Sequence, residues 1–180
     1  IHYCHNGLKE RYKIDLSNSG STLCSGFLFG NILYIINVGD SRAIIGCYDY
    51  KENEWNSKQL SFEHKPSNPE ENKRIIANKG RIEKLKDEFG DEYGEYLIFG
   101  EENDPTNSGF AFTRTIGDDA ANKIGVNYKP ELFRYELNEK NKILIIGSRG
   151  LWKNLTNDEA INIASKYYEN WGTAEQDVDK

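Results

Sequence analysis

An α+β domain built on antiparallel sheets is the fold class this sequence predicts. Three observations lead there. Short apolar runs of strand character recur along the chain, and two of them are separated by Gly30-Asn31 alone, a two-residue hairpin signal. Two segments with helical spacing, Ser67–Asn78 and Asn157–Trp171, carry their own start signals. Neither an internal repeat nor a linker interrupts the 180 residues, which reads as one domain over 1–180.

In chain order, residues 1–20 read as the end of a helix or a loop, closing on the turn cluster Ser17-Asn-Ser-Gly20. Thr22–Phe29 and Ile32–Val38 follow as strands, and Gly39-Asp40-Ser41 breaks the second. Arg42–Tyr48 resumes as a strand, with Gln59–Phe62 a short one. In the helix over Ser67–Asn78, Ser67 is placed to cap. Pro69 suits the first turn, and Glu70 and Glu71 complement the positive helix end. Ile75, Ile76 and Ala77 form its apolar side, and Lys79-Gly80 closes it. The stretch 83–108 is charged and punctuated by glycine, with a small hairpin at Tyr93–Phe99; a loop of such length inside a compact domain is usually functional. Phe110–Thr113, Glu131–Leu137 and Lys142–Ile146 are predicted strands. The last helix is capped by Asn157 and aligns Ile161, Ala164, Tyr168 and Trp171 on one face.

Composition limits the function classes. The chain carries 29 acidic and 23 basic Asp, Glu, Lys and Arg residues, for a net charge of −6. No clustered basic face implies nucleic acid. No apolar run approaches the roughly 20 residues of a membrane span. Cys4, Cys24 and Cys47 lack any Cys-x-x-Cys spacing and read as free thiols of a reducing, intracellular compartment, cytoplasmic or nuclear. The chain opens at Ile1 without a methionine and is taken as a piece of a longer protein.

Three strand ends carry the candidate chemistry. Gly39-Asp40-Ser41-Arg42 places a carboxylate where it suits either a hard divalent cation or a simple turn. Thr113-Arg114-Thr115-Ile116-Gly117-Asp118 suggests a buried Arg–Asp pair that fixes a loop, with Arg114 or Arg42 as the partner of Asp118. Ile143-Leu-Ile-Ile-Gly-Ser-Arg-Gly-Leu-Trp-Lys153 is an apolar strand that stops abruptly and presents two cations, Arg149 and Lys153. His64, in His64-Lys65-Pro66, reads as a turn residue. Neither it nor His2 and His5 shows a metal-ligand pattern.

Taken in order, these pieces resemble the metal-dependent serine/threonine protein phosphatases of the 2C type. The likeness rests on Ser19–Thr22, Asn37–Ala43, Glu63–Glu70 with Arg74-Ile75, Ala111–Asp118, Val126–Glu131 and Ile143–Ala160, and so covers about residues 19–170. It implies a β-sandwich of two antiparallel sheets flanked by helices in α-β-β-α layers, incomplete at both ends. A flap-like insertion falls at about 83–108. It also implies hydrolysis of phosphoserine and phosphothreonine by a water bridging two Mg²⁺ or Mn²⁺ ions.

The departures are specific. Arg149 and Lys153 stand where the family's Asp-Gly-Leu-Trp-Asp motif has metal-binding aspartates. No Asp-Gly-x-Gly-Gly segment precedes Ser19, and the family's final Asp-Asn segment is not found before Lys180. Of the implied metal ligands Asp40 remains, at a position resembling a third, weaker site. Gly39, Arg42, Arg114, Gly117 and Asp118 then serve as structural motif residues, and no catalytic residue is assigned. The expected function is a pseudophosphatase that binds or regulates protein, including phosphoprotein, with Arg149 and Lys153 as candidate phosphate-binding groups. The alternative is an active Mg²⁺- or Mn²⁺-dependent phosphatase.

Overall fold

The computed structural model describes residues 1–100 and 109–174. The chain forms two compact units interleaved along the sequence. One comprises Ile1–Leu23, Asn37–Asp40 and Glu63–Glu131; the other comprises Cys24–Ile36, Ser41–Phe62 and the chain from Leu132 onward.

The second unit is a β-sandwich. Strands β2 (Leu23–Phe29), β3 (Ile32–Val38) and β9 (Glu131–Glu136) form one sheet in the order β2-β3-β9. Strands β4 (Arg42–Asp49), β5 (Glu54–Gln59) and β10 (Asn141–Gly147) form the other in the order β10-β4-β5, antiparallel throughout. Alternation along β4 decides what each face meets. Ala43, Ile45 and Cys47 point into the sandwich, against Leu33, Ile35, Phe133 and Tyr135. Ile44 points the other way, where Ile143 and Ile145 of β10 join it under helix α4 (Asn157–Ala174), packed on Ala160 and Ile161. Each fully buried isoleucine contributes about 1.5–3 kcal/mol. The β2–β3 turn works through Gly30, whose φ of 59° matches the right-handed strand twist.

The first unit begins with α1 (His2–Glu10). It adds a two-stranded pair of β1 (Gly20–Ser21) with β8 (Ile116–Gly117), helix α2 (Pro69–Ala77), and a hairpin of β6 (Arg81–Lys86) with β7 (Glu92–Phe99). Ile75 of α2, Ile98 of β7, Ala121 and Val126 make its core.

Several expectations need correction. The stretch 83–99 is mostly a regular hairpin, because Ile82 and Ile98 pair on one face and bury into the core. The remainder of the expected insertion, 101–108, lies outside the described residues. The second sheet is extended by Glu54–Gln59 rather than Gln59–Phe62, since Trp55 and Ser57 pair with Tyr48 and Gly46. Phe110–Thr113 makes a single bridge to Ile98 instead of a strand. Asn68, not Ser67, caps α2, accepting the Glu70 N–H at 3.0 Å. Ile76 is exposed, so the apolar side of α2 is narrower than read. Thr156 and Glu159 close the start of α4 in a reciprocal capping box, the role assigned to Asn157. Ile161 of the expected apolar face is buried and Tyr168 exposed.

Candidate functional site

The strand end at Gly147 is built from the residues beneath it. Gly147 pairs with Arg42 in the β10–β4 ladder. One turn later, in α3 (Arg149–Trp152), Trp152 is 7% exposed, and its indole N–H donates to the carbonyls of Gly147 at 2.8 Å and Arg42 at 3.1 Å. A polar indole so placed satisfies the end of the ladder while its ring fills the core. The Arg42 guanidinium lies over that ring, 4.9 Å from its centroid, and donates to Asn157 at 2.6 Å. Arg149 opens α3 and Lys153 closes it, the Lys153 N–H bonding to the Arg149 carbonyl at 2.8 Å. The two cations thus sit one helical turn apart on a short helix held rigidly at the strand end. Arg149 is half-buried and Lys153 exposed.

In the other unit, Asp40 is buried in the turn after β3, beside Gly39. Gly39 takes φ 102°, and a Cβ there would fall 2.3 Å from Thr22 Cγ2. His64, 1% exposed, clamps the same turn: its backbone N–H donates to the Gly39 carbonyl, and its Nδ1 accepts the Gly39 N–H at 2.9 Å. Nδ1 is therefore unprotonated, and Nε2 carries the proton 3.3 Å from the Glu131 carboxylate. Burial pushes this imidazole below its ordinary 6.5 and the Arg114 charge adds to the effect, against the opposing pull of Glu131 and Glu71.

Glu71 is the hub of that unit, and sequence reading missed it. It is 2% exposed. Arg74 grips it bidentately at 2.7 and 2.7 Å, Arg114 reaches it at 2.6 Å, and the Thr113 hydroxyl donates to it. Burial alone would raise the carboxyl; these donors outweigh it and hold Glu71 well below the usual carboxylate range. Arg114 continues to Glu131 at 3.2 Å and to the Lys129 carbonyl at 2.8 Å. The expected Arg–Asp pair is therefore an Arg–Glu network: the partners of Arg114 come from α2 and β9. Asp118 instead accepts from the Thr115 hydroxyl at 2.9 Å, in a left-handed conformation at φ 52°. Gly117, at φ 92°, meets Ser19, where a Cβ would lie 2.1 Å from the carbonyl oxygen.

Glu71 carried no local signal, since Glu70 and Glu71 both stand in the first helical turn and both suit the helix dipole. His64 carried none. Among the described residues, no three His, Cys, Asp or Glu side chains gather to hold a metal ion. Among the described residues, then, no cluster of carboxylates fits a two-ion centre.

Comparison with known proteins agrees with this architecture. The protein phosphatase 2C family model matches residues 5–178. The chain is 33% identical over 162 residues to "Probable protein phosphatase 2C 73" of Arabidopsis thaliana, covering 90% of this chain and 42% of that protein. It is 34% identical over 158 residues to "Probable protein phosphatase 2C 64" of Oryza sativa subsp. japonica, covering 88% and 36%. It therefore spans less than half the length of these curated relatives. Among solved structures it superposes on the serine-threonine phosphatase 2C of Toxoplasma gondii with a TM-score of 0.76 at 20% identity, over 94% of this chain and 52% of that one. A sex determining protein of C. elegans gives a TM-score of 0.65 at 17% identity, over 90% and 34%. The layered sheets, the strand-end motifs in their order and the match across nearly the whole sequence lead to one assignment: the chain belongs to the protein phosphatase 2C family.

Proposed function

We propose that this chain is a protein phosphatase 2C domain that has lost two-metal hydrolysis and serves as an intracellular regulatory module binding protein, including phosphoprotein. The observation that carries the reading is the pair Arg149 and Lys153, at positions resembling those of metal-binding aspartates and fixed at the end of β10 by Trp152. A unit charge 4 Å from an ion acts with about 4 kcal/mol at an effective dielectric near 20. Exchanging an aspartate for a cation turns attraction for a dication into repulsion of several kcal/mol, before the lost ligand bonds are counted. A guanidinium and an ammonium one turn apart instead suit an anion such as a phosphoryl group.

The test combines Mn²⁺ calorimetry with hydrolysis of an aryl phosphate, using Arg149→Asp/Lys153→Asp as the rescue control. The reading expects no tight two-ion binding and no Mn²⁺-dependent turnover in the natural chain. Robust turnover, or a pair of ions bound at micromolar concentration, would overturn it in favour of an active serine/threonine phosphatase.

A further inference from the structure

We propose that the first unit carries a binding site for a small organic anion, a carboxylate or phosphate on a flat apolar body, in the hollow between the C-terminal end of α2 and the segment 125–130. This goes beyond the phosphatase reading and does not rest on it. The hollow measures ≈ 600 Å³, within the usual range for small-molecule sites. The chain is acidic overall, yet among the described residues no Asp or Glu lines this cavity. Its titratable wall is Arg74, Lys129, Tyr128 and His2, supplemented by the amides of Asn78 and Asn127.

The donors are held in place before any ligand arrives. Asn127 Oδ1 accepts the Lys129 N–H at 2.9 Å, which leaves its amide nitrogen as the group able to donate. The Lys129 carbonyl accepts from Arg114, which anchors the backbone that carries the Lys129 cation; Arg74, whose charge is shared with Glu71, is fixed at the wall by its Nε donating to the Gly125 carbonyl at 2.9 Å. Tyr128 stacks on His5 with centroids 4.2 Å apart and is fixed further by His2 at 3.2 Å. With Val126 and Pro130 it supplies an apolar wall for a ring. The negative end of α2, which would oppose an anion, is quenched: the carbonyls of Arg74, Ile75 and Ile76 all accept the Asn78 N–H, and Gly80 and Lys79 add further donors. Preorganised donors of this kind lower the ordering cost of binding.

The experiment is a ¹⁵N NMR titration of the 180-residue chain with phenylphosphonate, benzoate and neutral benzamide. Saturable shifts of the Asn127 and Asn78 side-chain amides and of Arg74 Nε–H are expected with an anion and not with benzamide. Response to phenylphosphonate or to benzoate alone identifies the phosphate or the carboxylate as the ligand class. Lys129→Ala is expected to weaken the anion about fivefold, the effect of one unit charge at about 4 Å in a water-like dielectric. Asn127→Asp keeps the Oδ acceptor for Lys129 but places a carboxylate in the wall, and should weaken it more. Absence of saturable shifts at these groups, equal response to benzamide, or unchanged affinity in both variants overturns the proposal.

Discussion

Replacing Glu71 with glutamine should destabilise the first unit more than any exposed ion-pair change. The side chain keeps its size but loses its charge, and two arginines lose their counter-ion together. Arg114 is the critical one, because its side chain is 10% exposed against 26% for Arg74 and cannot recover water when the carboxylate goes. Removing one partner of a buried pair costs about 3–5 kcal/mol. In a chain of this length that lowers the melting temperature by on the order of 10 °C. Lys73–Glu70 on the same helix is the internal control. Its 2.8 Å separation is nearly as short, but its side chains are 73% and 79% exposed, so Lys73→Ala should leave the transition unmoved. The pH dependence provides a second readout. The Glu71 carboxyl is depressed in the fold, so its contribution is present above the ordinary value of 4.5 and drains as pH falls below it. Urea unfolding at pH 7 and at stepwise lower pH measures both effects. If Glu71→Gln costs less than about 1 kcal/mol at pH 7, or retains the acid-dependent loss of the natural chain, the network is not the hub described above.

Three further outcomes can be measured by unfolding. Gly39→Ala should cost about 3 kcal/mol, combining a strained φ of 102° with the collision against Thr22, whereas Gly90→Ala, strained but unobstructed, should cost less. Thr156→Ala opens the capping box of α4 and should lower the melting temperature by about 3 °C; no change would place the cap elsewhere. His64 is held neutral in the fold, so its contribution is present above the ordinary 6.5 and is lost as pH falls below it. The natural chain should therefore weaken on acidification from pH 7 to 5.5, and a His64→Gln variant should show a shallower slope over that window; identical slopes would remove the imidazole from the account.

The strands were legible because burial on a sandwich face needs apolar runs of four to eight residues, and Ile32–Val38 and Lys142–Ile146 supply them. The strand-end glycines were legible as punctuation, although the reason for Gly39, its approach to Thr22, is a tertiary fact. The network was not legible, because its links span the chain. Arg114 meets Glu71 from 43 residues away and Glu131 from 17. Nothing local separates a glutamate that answers a helix dipole from one that answers two arginines. His64 was hidden for the same reason: a histidine before Lys-Pro has the composition of a turn, and its partner Gly39 is 25 residues upstream. The candidate site showed the reverse pattern. The charge of Arg149 and Lys153 was plain in the sequence, while the means of fixing them, the Trp152 indole across two strand ends, required the ladder register.

That mode of fixing makes the rescue variant interpretable. Arg149 starts α3 and Lys153 ends it, so exchanging both for aspartate improves one end of the helix and worsens the other. Each effect is worth about 0.3–1 kcal/mol, and they oppose. Neither side chain belongs to the buried cluster of Ile44, Trp152, Ala160 and Ile161 that holds α3 and α4 on the sheet. Without divalent ions, Arg149→Asp/Lys153→Asp should therefore melt within a few degrees of the natural chain. With Mn²⁺ present the two proteins should separate, since a ligand at 100 times its dissociation constant adds about 2.7 kcal/mol to the form that binds it. Thermal melts of both proteins with and without 1 mM Mn²⁺, a concentration on the order of 100 times a 10 μM dissociation constant, decide the matter. A gain confined to the aspartate variant would locate the lost metal affinity at these two positions. An equal gain in the natural chain would mean that it holds the ion despite its cations, and the loss of two-metal chemistry could no longer be argued from Arg149 and Lys153.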